Sequence, residues 1–472
     1  MTDAPTLLIL GGSGDVTARY LLPALAELEA CGRLEDGFSV IGSGRDDWTD
    51  EHFRSFAGDG IERHGGAGAH RGRAELLERL HWASADATDA DSLREVDPDG
   101  VGPVIAYLAL PPTVFADAIE ALGSIGLGAR LRLAVEKPFG TDRSSARSLN
   151  ELLARHVDED HVFRIDHFLG HRTAQNLIGV RFANRLFADT WNRSTIERVE
   201  IVWDETLALE GRAGYYDGTG ALVDMIQNHL LQLMCLVAME PPETLDARSL
   251  SRSKLELLRR VRGPDNADAP ERTRRGRYGA GRVDGSDVPA YVHEDEVDPG
   301  LGTETFAAVH LMIDDDRWRD VPFVIRTGKA LAADVRHVRV TFRDVEDPVF
   351  CRRDHQDPTP PPSRLTFDID PDHLTLSIAL NGGGDPFGVR VRDLELDFEP
   401  DEVSAYASVL SQLLSGSSTL SVGAEEAEEL WRIVEPIREA WSEGLVALEE
   451  YPAGSEGPGC PAAAGGPAGV AG

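Results

Sequence analysis

Thr6-Leu7-Leu8-Ile9-Leu10-Gly11-Gly12-Ser13-Gly14-Asp15 is a run of five strand-forming residues closed by a glycine turn, and the residues after it place Leu21, Leu22, Leu25 and Leu28 on one helical face. This order reads as strand, glycine turn, helix. The pattern repeats downstream. Phe38–Ile41 ends at Gly42-Ser43-Gly44-Arg45, Val104–Leu110 ends at Pro111-Pro112 before a helical stretch, and Leu131–Val135 ends at Glu136-Lys137-Pro138-Phe139-Gly140. Apolar runs alternating with helices predict a parallel sheet of Rossmann-like α/β type, whose ligands lie beyond the carboxyl ends of the strands.

Glycines at such a turn let backbone amides and a helix N-terminus approach a pyrophosphate. Gly11, Ser13, Gly14 and Asp15 are therefore candidate dinucleotide contacts, with Pro111 and Lys137 at two further strand ends. Arg45 stands just past the second run, where a cation meets the 2′-phosphate that distinguishes NADP from NAD; Asp46 and Asp47 follow it and leave some NAD use open.

The chain of 472 residues exceeds one hydrophobic core, so two domains are expected. A formal net charge of -34 argues against nucleic acid and anionic membranes as partners. No apolar run is long enough to span a bilayer, and Met1-Thr2-Asp3 leads into a core strand with no basic leader, so a soluble, cytoplasmic protein is expected. Cys31, Cys235, Cys351 and Cys460 are widely spaced, which argues against a metal site or a disulfide framework. Only three basic residues are lysine, namely Lys137, Lys254 and Lys329. In a chain that otherwise uses arginine, a retained lysine suggests a need for a compact ammonium.

After about residue 178 alternating runs (Val199–Trp203, Thr305–Ile313, Val338–Phe342, Leu374–Leu380) and helices near 220–238 and 402–415 predict an α+β domain with a large, mainly antiparallel sheet. The polar stretch 262–300 reads as loop. The expected division is 1–175, a dinucleotide-binding domain; 176–452, a substrate and dimerisation domain; and 453–472, a disordered Gly/Pro/Ala tail.

Chemistry concentrates in two segments. Arg164-Ile165-Asp166-His167-Phe168-Leu169-Gly170 sets a carboxylate beside an imidazole at a strand end, and Asp224-Met225-Ile226-Gln227-Asn228-His229 interrupts a Leu- and Met-rich helix with polar residues. Histidine is the natural base at neutral pH, and a carboxylate on its second nitrogen fixes the tautomer and stabilises the imidazolium. His229 with Asp166 meets that requirement.

Together GGSGDVTARYLLPAL (11–25), YLALPPTVF (107–115), EKPFG (136–140), RIDHFLGHRTAQNL (164–177), RFANRLFADTWNR (181–193), GRAGYYDGTGALVDMIQNHLLQLMCLVAMEPP (211–242) and VPFVIRTGKAL (321–331) resemble the glucose-6-phosphate dehydrogenase family. The resemblance implies oxidation of a hexose C1 hydroxyl with NADP, and a homodimer joined through the large sheet. It implies His229 as base and Asp166 as its support. His167, with His171 beside it, would meet the substrate phosphate; Glu205, Asp224 and Lys329 the sugar hydroxyls; Lys137 both ligands; and Gly11, Ser13, Gly14 and Arg45 the NADP.

Departures from the family pattern fall where phosphate and sugar bind. Phe168 replaces a tyrosine and His171 a lysine; Asp334 stands where a basic residue is usual, and Asp368-Ile369-Asp370-Pro371 replaces Arg-Ile-Gln-Pro. Tyr20 replaces a lysine and Phe115 a tyrosine near the cofactor. These changes keep two alternatives in view: the same chemistry on an unphosphorylated, amino- or otherwise modified hexose, and a catalytically silent scaffold.

Overall fold

The computed structural model describes residues 4–96, 101–209, 213–345, 361–382, 389–398 and 402–461. Cys351 lies outside these, as do residues 462–472 of the expected tail. The chain forms two compact units that are not contiguous in sequence: Met1–Arg172 with Pro242–Leu255 and Pro400–Glu429, and Thr173–Pro241 with Glu256–Glu399 and Leu430–Gly472.

In the first unit, β1 (Thr6–Leu10), β2 (Ser39–Gly44), β3 (Leu80–Ser84), β4 (Val104–Leu108), β5 (Leu131–Glu136) and β6 (Val162–Ile165) make a parallel sheet in the order β3-β2-β1-β4-β5-β6. Strands β1, β4, β5 and β6 are buried along most of their length because both faces are covered, whereas the edge strand β3 is mostly not buried. Leu7, Ile9, Val40, Ile105, Tyr107, Phe163 and Ile165 pack with helices Leu22–Ala30, Asp50–His64, Ala67–Glu78 and Ala405–Ser415. Leu8, Leu10, Ala106, Leu133 and Val135, one step out of phase, are also buried. The order reverses between β1 and β4, which pair from Thr6↔Val104 to Leu10↔Leu108, so the glycine turn and Pro111 flank the switch point where such sheets bind ligands.

The second unit is built on a ten-stranded mixed sheet. Its strands are β7 (Ile196–Asp204), β8 (Val261–Arg262), β9 (Thr273–Gly279), β12 (Phe306–Ile313), β13 (Phe323–Gly328), β14 (Val335–Phe342), β15 (Arg364–Asp368), β16 (His373–Asn381), β17 (Val389–Asp397) and β18 (Leu448–Pro452); β10 (Gly281–Val283) and β11 (Ser286–Val288) form a separate hairpin. Among the described residues pairing is antiparallel except between β7 and β13 and between β9 and β18.

Three expectations change. The stretch 262–300 contains β9, in which Thr273, Gly276 and Tyr278 are buried; its arginines and glycines hid a strand that tertiary packing sustains. The helix expected near 402–415 is Ala405–Ser415, and it belongs to the first unit. Residues 453–461, expected to start a disordered tail, are held by backbone bonds: Gly454 N donates to Ala330 O at 2.8 Å and Ala332 N to Ser455 O at 2.9 Å, and Ala453 is buried. Small residues suit that close packing, since a Cβ on Gly454 would lie 1.9 Å from Arg282 O.

Two buried histidines link this fold to pH. Desolvation, then nearby arginines, press the pKa of His310 down to about 4 and that of His337 to about 3, against an ordinary value of 6.5. The unfolded chain therefore binds more protons between those values, so their contribution is complete above pH 6.5 and declines as pH falls toward 4. Each histidine should remove about 1.4 kcal/mol per pH unit across that window. Urea midpoints at pH 7.5 and 5 should converge in the His310→Leu/His337→Leu double variant; an unchanged gap would exclude this source.

Candidate active site

The carboxyl edge of the parallel sheet gathers one set of candidate residues. Gly11 adopts φ +91°, and a Cβ there would lie 2.2 Å from Ala109 O, so only glycine fits. Gly11 and Gly12 N–H groups both donate to Ser43 O at 2.9 Å, binding the turn to β2. Ser13 Oγ donates to Asp46 Oδ2 at 2.7 Å, and Arg19 meets Asp15 at 2.5 Å. Ser13, Gly14, Asp15, Arg19, Arg63 and His64 line a shallow cavity of about 320 Å³. Arg45 and Pro111 are exposed at the ends of β2 and β4. The glycine-rich turn, with Arg19, Arg63 and His64 along its cavity beside Asp15, fits a dinucleotide phosphate.

At the end of β5, Glu136 lies within hydrogen-bond reach of the Tyr107 and Tyr406 hydroxyls, which are 2.6 Å from each other. Desolvation raises the Glu136 pKa against those two bonds and the neighbouring Lys137 charge. Sequence reasoning missed both tyrosines: Tyr107 reads as strand core, and Tyr406 lies some 270 positions from its partner Glu136. At the end of β6, buried Asp166 caps the short helical turn His167–Gly170 by accepting from Phe168 N at 2.9 Å. Arg164, fully buried, anchors that strand through Glu159 at 2.7 Å and Asn150 at 2.8 Å. Gly170 is required because a Cβ would lie 2.1 Å from Ala405 O. Rings follow one another from Tyr406 through His167 and Phe168 to His171, at centroid spacings of 6.1, 5.1 and 5.6 Å.

The second unit holds the other set. Parallel pairing of β7 with β13 opposes Asp204 to Gly328, so Glu205 and Lys329 leave the sheet together; Lys329 Nζ meets Glu205 Oε2 at 2.7 Å. Lys329 also lies over the Tyr216 ring at 5.6 Å, and the charge of Asp224 acts on the same tyrosine. Asp224 and buried His229 share the segment Leu222–Leu230, wound as a π-helix and continued by the α-helix Leu231–Ala238. Such wide turns are frequent at functional sites.

Of the three aspartates that depart from the family pattern, Asp334 and Asp370 share one cation, while Asp368, whose pKa desolvation raises, has no ion pair with it among the described residues. Arg336 reaches Asp334 at 3.2 Å and Asp370 at 2.8 Å, while Asp334 also accepts from Thr206 N at 2.7 Å.

Comparison with known proteins bears on the whole chain. The NAD binding domain profile of glucose-6-phosphate dehydrogenase matches residues 8–176 and the C-terminal domain profile residues 178–464. Glucose-6-phosphate 1-dehydrogenase of Zymomonas mobilis is 36% identical over 470 residues, covering 96% of each chain. The Treponema pallidum enzyme of that name is 37% identical over 486 residues, covering 97% of this chain and 93% of its own. A crystal structure of the Mycobacterium avium enzyme superposes with a TM-score of 0.85 at 33% identity, covering 97% of this chain and 96% of that one. A glucose-6-phosphate dehydrogenase in complex with glucose 6-phosphate gives 0.87 at 29% identity with the same coverage.

Gly11→Ala forces a strained φ and a contact that backbone cannot relieve. Its expected effect is a lower Tm and at least about tenfold weaker dinucleotide binding by thermal-shift titration; wild-type affinity would show that the turn does not hold the ligand.

Proposed function

As the chain belongs to the glucose-6-phosphate dehydrogenase family and is an oxidoreductase that dehydrogenates glucose 6-phosphate, the reaction that feeds the pentose phosphate pathway, we propose that it uses NADP and that His229 is the base. Bound NADP would supply the hydride acceptor for the oxidation at C1. His229 removes the C1 hydroxyl proton, and Asp166 orients the imidazole and stabilises its charged form, which leaves a δ-lactone as product. His167 and His171 face the phosphate, Glu205, Asp224 and Lys329 hold the sugar hydroxyls, and Lys137 serves both ligands. Gly11, Ser13, Gly14, Asp15, Arg45 and Pro111 would hold the NADP.

What carries this reading is the Glu205–Lys329 pair beside Tyr216 and Asp224, with His229 five residues further along the same helical segment as Asp224. The Arg336 bridge supports the phosphorylated substrate over a modified sugar, because Asp334 and Asp370 are already engaged by a cation. We also infer a cytoplasmic homodimer. A sugar phosphate and a dinucleotide are charged metabolites retained inside cells, and β16 and β17 present Leu380, Leu394 and Leu396 at 43, 52 and 56% exposure, an apolar surface suited to a second copy.

NADPH formation at 340 nm should favour glucose 6-phosphate over glucose and glucosamine, and His229→Ala should lower kcat by about 10³-fold. Activity confined to an unphosphorylated sugar would reverse the substrate assignment, and a fully active His229→Ala would remove the base. Arg336→Ala should raise KM for glucose 6-phosphate by about tenfold or more through two uncompensated carboxylates, and Asp334→Ala in that background should recover part of the loss; an unchanged KM would place the aspartates away from the phosphate.

A further inference from the structure

Glu304 is a buried carboxylate that the reaction as described does not use. Its Oε1 accepts from Leu222 N at 3.0 Å and its carbonyl from Ala221 N at 3.1 Å, so one residue receives the first amide of the segment that carries Asp224 and His229 and the amide of the residue before it. The chain opposite is shaped to admit it. Gly220 has φ +70°, and a Cβ there would fall 2.4 Å from Glu304 Oε1. The neighbours on either side of Glu304 tie the same strand end to the rest of the site. Thr303 Oγ1 donates to Asp217 O at 2.6 Å, and Thr305 O accepts from Lys329 N at 2.9 Å. Desolvation pushes the Glu304 pKa up to about 7, opposed by the Leu222 N–H and by Arg275 and Arg438; Tyr216 and Tyr291 also feel its charge.

We propose that Glu304 is a positioning residue for the reaction, holding the amino end of Leu222–Leu230 so that Asp224 and His229 keep their alignment, with a tighter hold when its carboxylate is ionised. The proposal rests on His229 as base. An ionised acceptor makes a stronger hydrogen bond than a neutral one and also complements the positive end of the helix dipole. Gln at this position keeps an acceptor oxygen but never gains the charge, whereas Ala removes the acceptor.

The test measures kcat and KM between about pH 6 and pH 8.5 for full-length wild type, Glu304→Gln, Glu304→Ala and Gly220→Ala, with hydrogen–deuterium exchange across 220–230. The wild-type to Glu304→Gln ratio of kcat should be near one at low pH and rise to about tenfold at high pH, with KM for NADP unchanged. Glu304→Ala should lower kcat across the range and speed exchange in 220–230, and Gly220→Ala, which displaces the carboxylate, should do the same. A ratio that is flat with pH, or unaltered exchange in Glu304→Ala, would overturn the proposal. His229→Ala in the same series separates the two readings: if it stays active, the base assignment fails, and exchange across 220–230 still decides whether Glu304 holds the segment.

Discussion

The ends of a buried helix carry backbone donors and acceptors that no residue of the helix can satisfy, and water is not there to take them. The helical rod Leu222–Ala238 meets that constraint at both ends. Glu304 receives the amides of Ala221 and Leu222. At the other end Arg181 donates to Leu236 O and Met239 O, Trp191 Nε1 to Val237 O at 2.8 Å and Trp318 Nε1 to Ala238 O at 2.8 Å. A rod held this way cannot slide or rotate without stranding polar groups, each at a cost of about 1–3 kcal/mol. Asp224 and His229 thereby inherit fixed positions from groups that have no part in the chemistry. Burial presses the Arg181 pKa down to about 9, the consequence of placing a cation out of water at that helix end.

Arginine composition has a local consequence in the same unit. Arg336 bridges two carboxylates through different nitrogens and lies over the Trp203 ring at 5.0 Å. A planar fork has the geometry for both bonds while its face stacks; a lysine ammonium has no face to stack. The aspartates that look unfavourable as isolated letters are thus half of an arrangement whose other half is an arginine two residues from Asp334. Lys329, by contrast, makes a single close pair with Glu205 above an aromatic face, a role that suits a compact charge.

Most of the parallel sheet was legible because β1, β2, β4 and β5 contain short apolar runs with a turn at their ends, where that unit's candidate residues sit; β3, the mixed sequence Leu-His-Trp-Ala-Ser of Leu80–Ser84, gave no such signal. Asp166 and His229 stood out as a carboxylate and an imidazole in otherwise apolar segments and Lys329 as one of three lysines, while Glu205 came from the resemblance alone; the structure pairs Glu205 with Lys329. Glu304 was not legible, since it sits between Thr303 and Thr305 before an apolar strand and reads as a solvated loop residue; its meaning comes from Gly220, 84 positions earlier. Tyr406 was hidden for the same reason, its partners Tyr107 and Glu136 being remote in sequence. Strand β9 was lost in a polar, Arg- and Gly-rich segment because its buried positions are Thr273, Gly276 and Tyr278, which do not alternate strictly and include only one large apolar residue. What escapes local pattern is cross-chain satisfaction of polar groups, which no window of residues contains.

The same geometric necessity builds both sets of site residues. Adjacent parallel strands cannot be joined by a hairpin and need a long crossover, so their carboxyl ends are left side by side with room for functional loops. In the first unit β1 and β4 are such a pair, and they place the glycine turn next to Pro111. In the second unit β7 and β13 are another, inside a sheet that is otherwise mostly antiparallel, and they place Glu205 next to Lys329. The connection from β7 to β13 also carries the rod with Asp224 and His229. One parallel pairing in the second sheet therefore accounts for the acid–lysine pair at its edge and for the long crossover that carries Asp224 and His229.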